Sequence, residues 1–361
     1  MALPTSGPLS INDIHIEAGG ASGSLAGLND EDIRDLIGKA SGETSAISEF
    51  YGAAAGGNVE IRAWGGWGGG VSDEVDGGRG KGRRLTWIGT VISGTRINLV
   101  AGGNGTPGQA YFYNGIDPYG SGGGGASTAY MGSNQYDHTH PLLIAGGGGG
   151  SGVSLGAYSA GGFANANGPG AGESPITTGA PSSYVAPQGG NLNGSGSGGA
   201  GGSVISPNFG ATAGGAGTAW SNGTGGFGGD GFLMGPFVSL VSYGGRSIHQ
   251  VSGTGGRGSS QLLGLYDQGS SGGGGGYGGG GGAPPNGTGS YSAGGAMLGG
   301  AAGGSELFSQ PSLGATYEST SGNGSLSTNS GGRIELWVDG VKVKELLTSG
   351  NSESATYYTI P

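Results

Sequence analysis

The sequence predicts a mainly β protein: a β-sandwich carrying an inserted bundle of polyglycine helices, with a small helical or extended segment before it. Three observations predict this. First, 97 of 361 residues are glycine, yet 33% are apolar and the chain holds 15 Tyr, 8 Phe and 5 Trp; chains that stay disordered are poor in aromatics. Second, short apolar-alternating runs bounded by glycine recur between Val59 and Lys344, the pattern of strands. Third, apolar runs open directly into glycine tracts, as Pro141–Ala145 opens into Gly146–Gly150. Glycine can adopt the polyproline-II helix, which has three residues per turn and no internal hydrogen bonds. Its buried amides and carbonyls must then pair with neighbouring helices, and the missing Cβ lets those helices come close. Collagen is excluded, because no strict Gly-X-Y period runs through the chain and only 15 prolines occur.

Charge and cysteine content narrow the function classes. Charged residues are 10% of the chain and the net charge is −10, which argues against nucleic acid as a partner. Between Gly102 and Gly332 the charged side chains are Asp117, Asp137, Glu173, Asp230, Arg246, Arg257, Asp267, Glu306 and Glu318. Paired catalytic carboxylates are therefore scarce, which counts against a polysaccharide depolymerase, and no catalysis is expected. With no cysteine there is no disulfide framework and no thiolate metal site. No basic-then-apolar signal peptide opens the chain, and no run of about 18 apolar residues is available to span a membrane.

Residues 1–57 form the first unit, with 10 glycines against 83 in residues 58–330. Ser10–Glu17 places Ile11, Ile14 and Ile16 among polar residues, a short-strand pattern. Asn29 is placed to cap a helix whose first turn holds Asp30, Glu31 and Asp32. Ile33, Leu36 and Ile37 form its apolar stripe, and Ser45–Tyr51 adds Ile47, Phe50 and Tyr51. Two such patches make either a small cap on the main domain or a docking segment whose apolar face, Ile33, Leu36, Ile37, Phe50 and Tyr51, a partner completes.

The second unit, residues 58–361, begins with Val59–Trp64, which alternates strictly. Leu85–Val91, Arg96–Ala101 and Leu142–Ala145 are further strand candidates. Phe232–Leu233 and Phe237–Val241 are weaker, being interrupted at Pro236. Ile334–Val338 and Val341–Lys344 flank Asp339-Gly340, a two-residue hairpin signal. Long glycine-rich connections between these strands are implausible as structureless loops, and ordered glycine helices remove that difficulty.

Two resemblances bear on the whole. The run Met1-Ala2-Leu3-Pro4, then Gly7-Pro8-Leu9-Ser10-Ile11-Asn12-Asp13-Ile14, Leu28-Asn29-Asp30, Ile33-Arg34, Gly38 and Ile47-Ser48-Glu49-Phe50-Tyr51-Gly52 resembles the N-terminus of many tailed-bacteriophage virion proteins. That likeness implies attachment to other tail or baseplate proteins, synthesis in the host cytoplasm without a signal peptide and location in the virion. The runs Val59–Gly66, Arg96–Gly103, Gly122–Ser127, Leu142–Gly150 and Ser330–Leu336 resemble the glycine-rich domain of the anaplastic lymphoma kinase ectodomain. That family implies a jelly-roll, tumour-necrosis-factor-like scaffold with polyglycine-II helices, and by analogy a homo-oligomer, a trimer. Its disulfides are absent here, so its ligand contacts do not transfer. Glycine-helix bundles are also similar to the tip adhesins of some long tail fibres. The function these likenesses imply is a tail fibre or tip adhesin that binds a host surface glycan or outer-membrane protein. A structural virion component without receptor contact is the alternative.

Single motifs add little chemistry. Asp137-His138-Thr139-His140 reads as a polar loop before a strand, because a metal site needs ligands from elsewhere. Gly225–Leu233 matches one copy of a calcium nonapeptide, a motif that works only in tandem. No metal or cofactor is expected. Arg79, Lys81, Arg83 and Arg84, facing Asp73, Glu74 and Asp76, read as a solvated hairpin loop or as an anion patch for phosphorylated surface sugars. Asn104, Asn193, Asn222, Asn286 and Asn323 each head a sequon that also reads as an Asn-Gly turn. The recognition candidates are Tyr111, Tyr113, Asn114, Asp117, Tyr119 and Tyr136, because Tyr supplies contact area at low entropic cost. The competing reading is that these rings cover the outside of the glycine bundle. Trp64, Trp67, Trp220, Phe227 and Tyr277 read as structural.

Overall fold

In the computed structural model, the described residues are 3–51 (except 5, 38, 40 and 41), 57–70, 79–108, 121–133, 140–154, 305–319 and 331–360 (except 349). Short strands and glycine segments between 157 and 303 complete them. Among these residues no helix is long and apolar enough to cross a membrane.

The N-terminal unit closes on itself. Ile11–Glu17 is a helix (α1), where the alternation at Ile11, Ile14 and Ile16 had suggested a strand. Local capping decides it: the Asp13 amide donates to Ser10 Oγ at 3.2 Å while the Ser10 amide donates to the Asp13 carboxylate at 2.9 Å. This reciprocal capping box satisfies two donors that a strand would leave to a neighbour. The Ser10 hydroxyl, donating to the same carboxylate at 2.7 Å, and then the Ser10 amide hold the Asp13 carboxyl below its usual range. The second helix, Glu31–Asp35 (α2), is capped at Asp30 rather than Asn29. A 3-10 turn at Ile47–Phe50 follows. Leu3, Ile14, Ile33, Leu36 and Phe50 form one buried cluster with Leu9, Ala18, Ala26, Leu28 and Ile37 packed against it. The two apolar patches read separately in sequence are thus one small core.

The second unit is mainly β. Ten strands frame its main core: β1 (Gly57–Trp64), β2 (Arg84–Val91), β3 (Arg96–Ala101), β4 (Ser127–Met131), β5 (His140–Ala145), β6 (Glu306–Leu307), β7 (Ala315–Ser319), β8 (Arg333–Val338), β9 (Val341–Leu347) and β10 (Ser354–Thr359). They make two five-stranded antiparallel sheets, ordered β7-β2-β1-β8-β9 and β6-β5-β4-β3-β10. The alternation of β1 sends Val59, Ile61 and Ala63 inward, where they meet Leu85, Trp87, Ile334 and Leu336 of the same sheet. From the other sheet come Ile97, Leu99, Ala129, Met131, Leu142 and Leu143. The deepest large side chain, Trp87, keeps its indole N–H satisfied by the Phe308 carbonyl at 2.8 Å. Short strands between 152 and 270 form two further antiparallel sheets, one of three strands and one of five.

The outer face of β1 and β8 carries a charged ladder. Arg62 pairs with Glu60 at 2.6 Å and lies 4.6 Å over the Trp337 ring. Glu335, buried between strands, is met by Arg62, Arg333 and Lys342 and accepts the Trp337 indole N–H at 3.2 Å. Asp339-Gly340 forms the expected hairpin, with φ of 49° and 78°, the left-handed values that such a tight turn needs.

Strands β1, β3 and β5 run into glycine segments at one end of the core, and β2, β4 and β8 emerge from glycine segments at that same end. Each segment shares its hydrogen bonds among several neighbours, and the partner repeats every third residue. Gly65 and Gly68 donate to Arg83 and Gly80, Gly66 and Gly69 donate to Gly125 and Gly122, and Trp67 and Gly70 accept from Gly105 and Gly108, all at 2.8 Å. Segment 146–151 repeats the rule. Gly147 and Gly150 donate to Gly275 and Gly272, Gly148 and Ser151 donate to Gly66 and Gly69, and Gly303 and Gly300 donate back to Gly147 and Gly150. The backbone approach is too close for side chains: a methyl on Gly148 would lie under 3.0 Å from the Gly80 carbonyl, and one on Gly65 equally close to that of Gly146.

Candidate functional site

The far end of these segments, away from the strands, is where the chemistry collects. Gly108 donates to Gly70, Ser121 to Ser151, and Gly272 to Ser121, and the Ser121 hydroxyl lies 2.6 and 2.9 Å from the carbonyls of Gly69 and Ser151, either of which can take its one proton. The chain on both sides of residues 109–120 is therefore anchored at this end. Here a pocket of about 290 Å³ is lined by Trp67, Gly68, Gly69, Gly70, Arg79, Asn104, Gly105, Thr106, Pro107, Gly350 and Asn351.

Its walls are held by backbone and amide bonds. The Trp67 amide donates to Asn104 Oδ1 at 2.9 Å, and the Asn104 amide donates to the Gly350 carbonyl at 2.8 Å. Trp67 is 4% exposed, with Lys81 Nζ 5.6 Å over its ring. Gly70 makes room for the Arg79 stem, since a methyl there would fall 2.7 Å from Arg79 Cγ and Nε. Among the described residues, Trp67 Nε1 and Arg79 Nε have no hydrogen-bond partner. A buried donor left unsatisfied costs about 1–3 kcal/mol. The described lining includes no carboxylate, and its charged side chain is Arg79.

Several expectations change here. Asn104-Gly105-Thr106 is no turn: it lies in an extended segment whose amides and carbonyls pair with Trp67 and Gly122. The basic run is not one solvated loop either. Arg83 is fully buried, its amide donating to Gly146, and Arg84 opens β2 with its guanidinium 5.3 Å over Trp64. The missed feature is the indole N–H of Trp67, whose sequence signal is a Trp inside a glycine tract near Arg79 and Lys81.

Ile33, Leu36 and Phe50, expected to face a partner, are buried in the N-terminal unit's own cluster, and Ile37 packs against it. Tyr51 is 38% exposed, and its hydroxyl donates to the Gly7 carbonyl at 2.6 Å. The outward apolar side chains of this unit are instead Ile16, Leu25 and Ile47. Tyr277 is buried against Ala126, Ile144 and Phe308, and Trp64 stacks between Arg84 and Arg333. Tyr111, Tyr113, Asn114, Asp117, Tyr119 and Tyr136 lie outside the described residues, as do Asp73, Glu74, Asp76, His138, Trp220, Phe227 and the sequons after Asn104. Of the calcium-like nonapeptide only Gly228 is described. His140 opens β5, and no group of three His, Asp or Glu among the described residues is placed to hold a metal.

Comparison with known proteins finds no matching family model and no matching curated sequence.

Proposed function

We propose that this chain is a bacteriophage tail or baseplate protein, a fibre or tip adhesin that recognises the host surface at the far end of its glycine segments. In this reading those segments are polyglycine-II helices bundled on a jelly-roll, tumour-necrosis-factor-like scaffold. The every-third-residue repeat of partners supports it, since that helix has three residues per turn. The observation that carries the recognition role is the end of the bundle. A pocket lined by Trp67 and Arg79 sits there, and Gly108 and Ser121 are bonded at the same end; in this reading recognition falls to Tyr111, Tyr113, Asn114, Asp117 and Tyr119 in the sequence between them. A rigid rod presents such a tip with little entropy left to lose on binding. A homotrimer multiplies weak single contacts into strong attachment, and the N-terminal unit docks to the virion through Ile16, Leu25, Ile47 and Tyr51. No catalytic step is assigned.

The test uses the purified full chain. It is expected to bind bacteria of the host strain and to compete with whole virions for adsorption. Normal incorporation of the chain into virions, with neither binding nor competition, would replace this reading with a purely structural role.

A further inference from the structure

We propose that His15 is an acid-operated latch in the N-terminal unit: when its imidazole takes a second proton, it bonds Asp32 and ties α1 to α2. The neighbours of the neutral ring fix its tautomer. His15 Nε2 lies 2.7 Å from Ser24 Oγ, which itself lies 2.6 Å from the Ala21 carbonyl. A carbonyl only accepts, so the single Ser24 proton must lie on the Ala21 side. The proton between Ser24 and His15 therefore belongs to Nε2. Nδ1 is left with a bare lone pair, buried and without a hydrogen-bond partner among the described residues. Across from it, 3.9 Å away, is Oδ2 of the Asp32 carboxylate. In the neutral state an acceptor meets an acceptor. As pH falls below neutral, imidazole gains its second proton, and a proton on Nδ1 turns this contact into a charge-assisted bond. The Asp32 side chain is 47% exposed and has room to rotate toward it.

The ring is held in place before that proton arrives. Its side chain is 12% exposed, and a side chain on Gly20 would overlap it. The turn that covers it is pinned by the Gly20 amide, which donates to the His15 carbonyl at 2.8 Å, and by the Gly23 amide, which donates to Asn12 Oδ1 at 2.9 Å. Other charges nearby are directed elsewhere. On α1, Asp13 is committed to Ser10, and Asp13 and Glu17 both stand two residues from His15, a spacing that does not share a helix face. Residues 18–28 hold no charged side chain. On α2, Glu31 is exposed and Arg34 turns to the Asn29 carbonyl at 3.0 Å, which leaves Asp32 to meet the ring. The buried cluster of Leu3, Ile14, Ile33, Leu36 and Phe50 packs the helices together in either state. The latch therefore changes how tightly they are tied, not whether the unit folds.

The test uses the full chain and two readouts. Long-range proton–nitrogen NMR of its four histidine rings under mildly alkaline conditions reads the tautomer, and the ring signal missing from His15→Gln is that of His15. The Nε2–H form is expected. The second readout is hydrogen exchange at the Arg34 amide, which donates to the Asp30 carbonyl in α2. It is measured at about pH 7.5 and about pH 5.5, a window in which imidazole gains its proton and most carboxylates stay ionised, and corrected for the intrinsic exchange rate. Protection should rise about threefold at the lower pH, the scale of a partly exposed ion pair, and Asp32→Ala should abolish that rise. Should Asp32→Ala leave Arg34 unprotected at both values, His15→Gln serves instead, since it keeps Asp32 and must also lose the rise. An Nδ1–H neutral tautomer, equal protection at both values in the parent, or the same rise in either variant each overturns the proposal. Neither readout involves a host cell or a virion, so the latch stands or falls separately from the adhesin reading.

Discussion

The two ends of the second unit are stabilised by opposite means. The strands bury Ile61, Trp87, Leu99, Leu142 and Leu336 in a shared apolar core, where stability follows the area removed from water. The adjoining glycine segments bury mostly backbone, with few side chains such as Trp67, Arg83 and Tyr277 among them. There many amides find a carbonyl on a different segment, and Gly148 by itself touches two neighbours, donating to Gly66 and accepting from Gly124. The difference teaches where tolerance lies. An apolar core can relax around a smaller residue, whereas a lattice of backbone bonds has no side chain to move aside.

The largest expected effect tests that contrast. Gly148→Val places its branched side chain against the Gly80 carbonyl, and overpacking together with broken backbone bonds should cost about 3 kcal/mol or more. Gly350→Ala, where a methyl meets nothing within 4 Å, should be near neutral in the same denaturant melt. A Gly148→Val protein that melts with its parent would show the segments to be slack linkers.

Ile61→Ala comes next. This fully buried residue faces the apolar core, and its truncation should cost about 2–5 kcal/mol while the protein still folds. Amide exchange in the glycine segments of this variant sharpens the comparison. Faster exchange there would show that the lattice depends on the strands for its register.

The smallest effect concerns pH at the junction of the two regions. Burial raises the carboxyl of Glu306 above its usual value, and the hydrogen bond from the Leu307 amide only partly offsets this. The folded state therefore holds this proton more tightly than the unfolded chain. That contribution to stability is fully present below the unfolded pKa and is lost as pH rises through the folded one. Burial, and then the Glu306 charge, also raises the nearby Tyr277 hydroxyl. Glu306→Gln should consequently melt higher than the parent near neutral pH, and the gap should shrink as pH falls through the carboxylate range. A gap that widens in acid would reverse the assigned cause.

Much of the fold is legible in the sequence. Strict alternation at Val59–Trp64, the apolar run at Leu142–Ala145 and the Asp339-Gly340 turn each announce a strand or hairpin, because side-chain period and left-handed turn residues are local properties. Strands β4 and β10 were not legible. Ser127–Met131 is buried throughout and Ser354–Thr359 is mostly polar, so neither alternates clearly, and only pairing with β3 makes them strands. At Ile11–Glu17 the period misled, and the Ser10–Asp13 capping box decided for helix.

The sequence by itself determined that glycine-rich tracts interrupt a set of β-strands, that charge is scarce along them, and that aromatic residues cluster between tracts. Tertiary structure alone decided which amide meets which carbonyl. Glycine has no side chain to record its neighbours, so the pairing of Gly148 with Gly66 and Gly124 leaves no trace in sequence. The same holds for the pocket. Trp67, Arg79, Asn104 and Asn351 are far apart along the chain, and they meet because three glycine segments and the Gly350 carbonyl converge there.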